Sequence, residues 1–282
     1  MATLCETAML VKLGTSRWMG AKTSKAVSHE VCVQKDADDD AGDWKTYLIP
    51  KEALKDINNA RSRARSAWLQ HSLPWQDGGF RILPSALFMT WRKEMRKVMD
   101  DFDAAVAAFL IKYPEYVAAA DERLGKLGEE CQLPSVDEIK GKFGIYLDVL
   151  PMPNDADFRM AIDEEEMEEI RSQAKTTIKN SLDKAMKELV KQFGEIVKKI
   201  STTLKDTDKK FKDSLIGNLR TFCETTLPQF NLTNDPVIET LRKEALATLA
   251  CFDPEDLRVI DKERETAGKK ADDLLKKIND YM

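Results

Sequence analysis

Apolar residues recur along this chain with two different periods. In "TAMLVKLGTSRWMG" they alternate and are β-formers, which predicts a strand over Ala8–Leu13. "HEVCVQK" at 29–35 predicts a second short strand, and "GKFGIYLDVLP", ending at Pro151, a further one. A helix is expected from Pro50 to about His71, then a loop with a turn at Gly78-Gly79 and a short extended piece, Phe80–Leu83. From Ser85 the period becomes helical: Leu87, Trp91, Met95, Val98, Phe102, Val106 and Phe109 step by four, four, three, four, four and three. That stripe predicts a long amphipathic helix to about Tyr113, which Pro114 ends or kinks.

The most regular stretch is 163–212. Leu182, Leu189 and Ile196 repeat every seven residues, and Met186, Phe193 and Ile200 follow each by four. This is the seam of a coiled coil. A helix from Asp163 to about Leu204 would be roughly 60 Å long at 1.5 Å per residue. It needs a partner stripe, and the 85–113 helix supplies one. Two later helices are marked by Asp at the N-cap with Pro at the first helical position, Asp235-Pro236 and Asp253-Pro254. The expected architecture is mainly α: a long antiparallel helical hairpin (coiled coil), a small N-terminal β-containing region and a C-terminal helical cap. The expected segments are 1–84, 85–162 and 163–282.

Composition changes this picture little. Charged residues are 33% and hydrophobic residues 43% of 282, which is a globular balance rather than a disordered one. No apolar run approaches the ~20 residues of a membrane span, and "MATLCETAMLVKLG" has no basic leader, so neither a span nor a signal peptide is expected. Five cysteines at 5, 32, 131, 223 and 251 stand alone, which fits a reducing, cytoplasmic setting.

Charge is more informative, because it is segregated. Residues 51–99 carry ten bases and four acids, whereas 100–169 carry six bases and nineteen acids. Within "NNARSRARSAWLQHSLPW", Lys51, Lys55, Arg61 and Arg65 cluster beside the apolar arc of a helical wheel, and Arg63 points almost opposite. That basic side fits phosphate contacts, with Trp75 or Trp68 as a stacking platform, although Trp68 sits on the apolar arc. A second basic feature is a lysine every seven residues, Lys184, Lys191, Lys198, Lys205 and Lys212, on the face farthest from the seam. Solubility alone accounts for such a stripe; so does tracking of an acidic partner.

Other chemistry is weak. "GTSRWMGAKTSK" has the wrong spacing for a phosphate-binding P-loop: five residues separate Gly14 from Gly20, and Ala21 precedes Lys22. The run at Asp36, Asp38 and Asp40 has Ala41 where a calcium loop turns on glycine and Tyr47 where it needs glutamate. His29, Glu30 and Cys32 lack the distant cysteine pair of a zinc deaminase. With two histidines and no nucleophile–base pairing, no catalytic residue, metal or cofactor is expected. The acids at 163–169 complement the positive end of a helix.

The segments "ETAMLVKLGTSRWMGAKTSKA", "ARSRARSAWLQHSLPWQDGGFRILP" and "FGIYLDVLP" resemble a family of unknown function found in bacteriophages and integrative mobile elements. The resemblance implies a genetic setting beside a MoxR-type AAA+ ATPase and a von Willebrand factor A protein similar to a cobalt-chelatase subunit, with single-strand annealing and exonuclease genes nearby. It brings no catalytic motif. The expected function is a non-enzymatic helical interaction protein, in a bacterial host cytoplasm, that self-associates or docks such an ATPase. The alternative is a single-stranded DNA binding or annealing protein using the basic residues named above.

Overall fold

The computed structural model describes residues 4–76, 79–128, 132–153, 164–206 and 210–282. The expected helix start at Asp163 and Gly78 of the expected turn lie outside them, as does Cys131. The chain is mainly helical with a small β region near its N-terminus. A short helix α1 (Leu4–Thr7) enters β1 (Ala8–Ser16), where alternation predicts a strand. Next, β2 (Ala21–Ser24), α2 (Lys25–Gln34) and β3 (Trp44–Tyr47) form one unit, the strands pairing antiparallel with Ala21 opposite Tyr47. The strand expected at His29–Lys35 is therefore a helix. Ser24 accepts from the Val27 N–H, and the Ser28 hydroxyl donates to the Ser24 carbonyl at 2.7 Å. Those local bonds start a helix and outweigh the β-preference of Val31 and Val33.

A 3₁₀ turn, Lys51–Leu54, precedes α3 (Lys55–Gln70). Then come β4 (Leu73–Pro74), β5 (Arg81–Pro84), α4 (Phe88–Ala118), α5 (Ala120–Leu124), α6 (Val136–Lys140) and β6 (Gly144–Pro151). Pro114 does not end α4, which runs on to Ala118. Phe109 and Tyr113 before it are buried and Tyr116 after it stacks on Phe109, so core aromatics pin both sides of the break.

The C-terminal part holds α7 (Glu164–Lys205), α8 (Ser214–Thr221), α9 (Leu227–Phe230), α10 (Pro236–Thr248), α11 (Asp256–Val259) and α12 (Asp261–Tyr281). A π-helical turn at Phe222–Thr226 joins α8 to α9 and accommodates Pro228, which cannot donate and crowds the preceding turn. Asp235 caps α10 as expected, accepting from the Val237 N–H at 2.8 Å. Asp253-Pro254 opens only the short α11. The backbone turns extended at Ile260, and the long helix starts after it.

The chain folds into two compact units that do not follow chain order: described residues of 1–12, 71–89 and 149–282 make the first, and of 13–70 and 90–148 the second. In the first, β5 lies between β4 and β1, with Ala8 opposite Pro84 and Val11 opposite Arg81. Its core gathers Leu189, Phe193 and Ile200 of α7 with Leu219 of α8, Leu241 of α10 and Leu274 of α12. Burying each such side chain stabilises the unit by about 1.5–3 kcal/mol.

Within the first unit the long partner of α7 is α12. The two run antiparallel: Gly194 abuts Ile278, Ser201 bonds Asp272, and Leu204 meets Gly268. The structure does not confirm the expected hairpin. The leucine seam is only part of the buried face of α7, which also takes in Ala185, Val190, Gly194, Val197 and Ser201. Small residues on one side let α12 approach closely, and a face that broad fills a multi-helix core rather than a two-helix seam. The α4 stripe serves the second unit, where Phe102, Phe109 and Tyr113 pack with Trp18, Ile49, Leu54 and Ile57. Tyr113 donates to the Pro134 carbonyl at 2.8 Å. Burial, with Glu138 nearby, pushes its phenol up to about 12.

The end of α7 is set from α12. The buried Arg264 guanidinium donates to the carbonyls of Thr203, Leu204 and Asp206, three of the acceptors a helix C-terminus leaves open.

Candidate functional site

Of the residues expected to bind nucleic acid, four group together. Lys51, in the 3₁₀ turn, holds its ammonium 4.2 Å from the Tyr47 ring centroid. Lys55, Arg61 and Arg65 follow on α3; Lys55 and Arg65 are exposed and Arg61 is half-buried. The apolar arc of α3 is as expected, with Ile57, Ala60, Ala64, Ala67 and Trp68 buried. Arg63 points away and meets Asp101 at 3.4 Å.

Trp75 is a correction. It is 5% exposed and belongs to the core of the first unit, so it offers no face for a base to stack on. An apolar residue in a loop has no periodicity to show which way it turns, and the unpaired surface area of a tryptophan drove it inward.

Two further residues join this basic strip. Arg17, just past β1, donates to the Asn58 side-chain oxygen on α3. Asn58 and Arg61, three positions apart, share a helix face. Burial and the charge of Arg61 hold Arg17 below the usual guanidinium range. Arg17 sits within "GTSRWMGAKTSK", but its approach to a residue 41 positions on is a tertiary fact.

The lysine stripe is shorter than expected. Lys184, Lys191, Lys198 and Lys205 are exposed on α7, but the helix ends at Lys205, and Lys212 lies beyond it. Lys205 pairs with Asp272 at 2.8 Å, and the Ser201 hydroxyl donates to the same carboxylate at 2.6 Å, which holds Asp272 below its ordinary range. Asp183 and Glu188 line the same shallow groove as Lys184, Lys187 and Lys191. Acids interleaved with the lysines weaken the field a phosphate chain would need.

The first part of α7 is a different surface. From Glu164 to Asn180 no residue is buried, and the half-buried ones are Met167, Ile170, Ala174 and Ile178. They step by three, four and four, so they lie on one stripe. The acids Glu164, Glu165, Glu166, Glu168 and Glu169 occupy its start, and Arg171, Lys175, Lys179, Lys184 and Lys187 follow. This amphipathic segment is the second candidate.

His29 meets Asp39 at 2.7 Å on the surface. Among the described residues no three His, Cys, Asp or Glu groups come together as a metal site. The described cysteines are free, and burial pushes the Cys223 thiol up to about 12, far from a reactive thiolate. No described helix is long and apolar enough to cross a membrane. Comparison with family models, curated proteins and solved structures finds no match to this chain.

Proposed function

We propose that this chain is a non-enzymatic helical interaction protein that self-associates through the first part of α7. One observation carries the reading: the Glu164–Asn180 segment is amphipathic yet contributes no buried residue, and of its stripe Ile178 packs against the core of the first unit while Met167, Ile170 and Ala174 do not. The segment is continuous with the packed part of α7, and its apolar stripe gains most from a partner. Its charge pattern fits a second copy lying antiparallel. Centred on Ala174, such a pair sets Ile170 opposite Ile178 and the 164–169 acids opposite bases at 179–184.

Light scattering of the full chain at micromolar concentration tests this. A dimer is expected, dissociating in Ile170→Asp. With Ala174 on the two-fold axis, Ala174→Cys forms an inter-chain disulfide and Ser172→Cys, on the exposed side, does not. A monomer at all concentrations, with no cross-link at 174, overturns the reading. The mobile-element setting implied by the resemblance makes the AAA+ ATPase and the von Willebrand factor A protein the heterologous partners of this same segment. Their capture by the full chain, abolished by Ile170→Asp, is the expected result.

A second reading, single-stranded DNA binding, is favoured by the basic side of α3, where Lys55, Arg61 and Arg65 form no ion pair among the described residues. Its expected mark is affinity for an oligonucleotide that falls steeply with salt.

A further inference from the structure

Two arginines from distant parts of the second unit converge without a counter-charge. Arg17 is brought onto α3 by the end of β1 and anchored there by Asn58. Arg61 stands on the same face of the helix, and all three side chains are half-buried. Neither arginine enters an ion pair among the described residues. On the helical wheel Glu52 and Asp56, the acids of this segment, lie on the Arg63 side. Like charges held together in a partly desolvated place repel, and exposed arginines ordinarily relieve that by swinging apart. Here Arg17 is tied to Asn58, Arg61 stands three positions further along the same helix face, and the guanidinium N–H groups outside that bond are left to a ligand.

Planar donor forks in that arrangement match the oxygens of one anion. We infer that Arg17, Asn58 and Arg61 form a binding site for a phosphate group, a phosphomonoester or phosphodiester. Lys55 and Arg65 extend the positive side of the helix on either flank, over about 15 Å from end to end at 1.5 Å per residue. The site sharpens the nucleic-acid reading to one phosphate contact and does not depend on self-association of α7.

The test uses the full chain with inorganic phosphate, pyrophosphate and a short single-stranded oligonucleotide, by calorimetry and thermal shift at matched ionic strength. Pyrophosphate is expected to bind, and Arg17→Gln or Arg61→Gln to weaken it by about tenfold or more, as the loss of a charge-assisted contact implies. Arg63→Gln, on the opposite side, leaves affinity unchanged. A second readout has its own sign: without ligand, Arg61→Gln melts no lower than the wild type because a repulsion is gone, and with pyrophosphate only the wild type gains. If the oligonucleotide binds with the same residue dependence, its backbone is the source of the phosphate. If pyrophosphate alone binds, the site stands and the nucleic-acid reading falls. Absence of binding by all three probes, or equal weakening by Arg63→Gln, overturns the site.

Discussion

From Glu164 to Asn180 and from Ser181 to Lys205, α7 is one uninterrupted helix, yet its two parts live in different surroundings. The later part buries residues on most of its circumference, among them Leu189, Phe193, Val197 and Ile200, against α12, α8 and β4. The earlier part buries none. Both are amphipathic, so amphipathicity states that a helix has a face to cover and leaves open what covers it. In one part the fold supplies the cover. In the other, the core reaches Ile178, and self-association is the proposed supplier for Met167, Ile170 and Ala174.

The largest way to sharpen that contrast is a truncation in each part. Phe193→Ala is expected to cost about 3–5 kcal/mol through the lost transfer energy and the cavity left behind. Ile170→Ala is expected to cost less than about 1 kcal/mol at concentrations where the chain is monomeric. Urea denaturation compares the two; equal losses would mean that the early part is as fully packed as the late one.

Next comes the fixed end of the packed part. Arg264→Ala leaves carbonyls of α7 without their donor and removes a buried side chain, for an expected loss of about 2–3 kcal/mol. Hydrogen exchange gives the spatial form of the same comparison. Amides of 185–204 are expected to exchange only by large-scale unfolding, and those of 164–180 by local fraying, so protection should step down near Ser181. A uniform profile along α7 would erase the distinction.

The smallest effect is electrostatic. Asp272, bonded by Lys205 and Ser201, and Glu239, bonded by Arg242, both sit below their ordinary ranges, Glu239 at about 2. A depressed carboxylate contributes stability that is present above its unfolded pKa and is lost as pH falls toward its folded one. For Glu239 that window runs from 4.5 down to about 2. Glu239→Gln should flatten stability against pH across it, and Asp272→Asn should do the same on the packed part of α7. Both carboxylates are well exposed, so each contribution is modest.

Much of this was legible in the residues. Alternation marks β1, β-forming residues mark β6, the helical stripe marks α4, and Asp235-Pro236 marks the start of α10, because strand and helix preferences and caps are local properties. The basic side of α3 was readable for the same reason. Where two local signals competed, at His29–Lys35, hydrogen bonds from Ser24 and Ser28 decided for helix. Arg17 could not be found this way, since no period links it to Asn58 and Arg61.

The amino-acid order alone determined which positions of α7 must leave water, because each turn of a helix repeats its side chains every 3.6 residues whatever lies nearby. Only the tertiary structure decided that α12 meets that face, that Trp75 turns inward and that Arg17 comes to rest on Asn58. Hydrophobic burial is non-directional: it rewards covering a surface and is indifferent to which segment does so, and that choice emerges only when the whole chain packs at once.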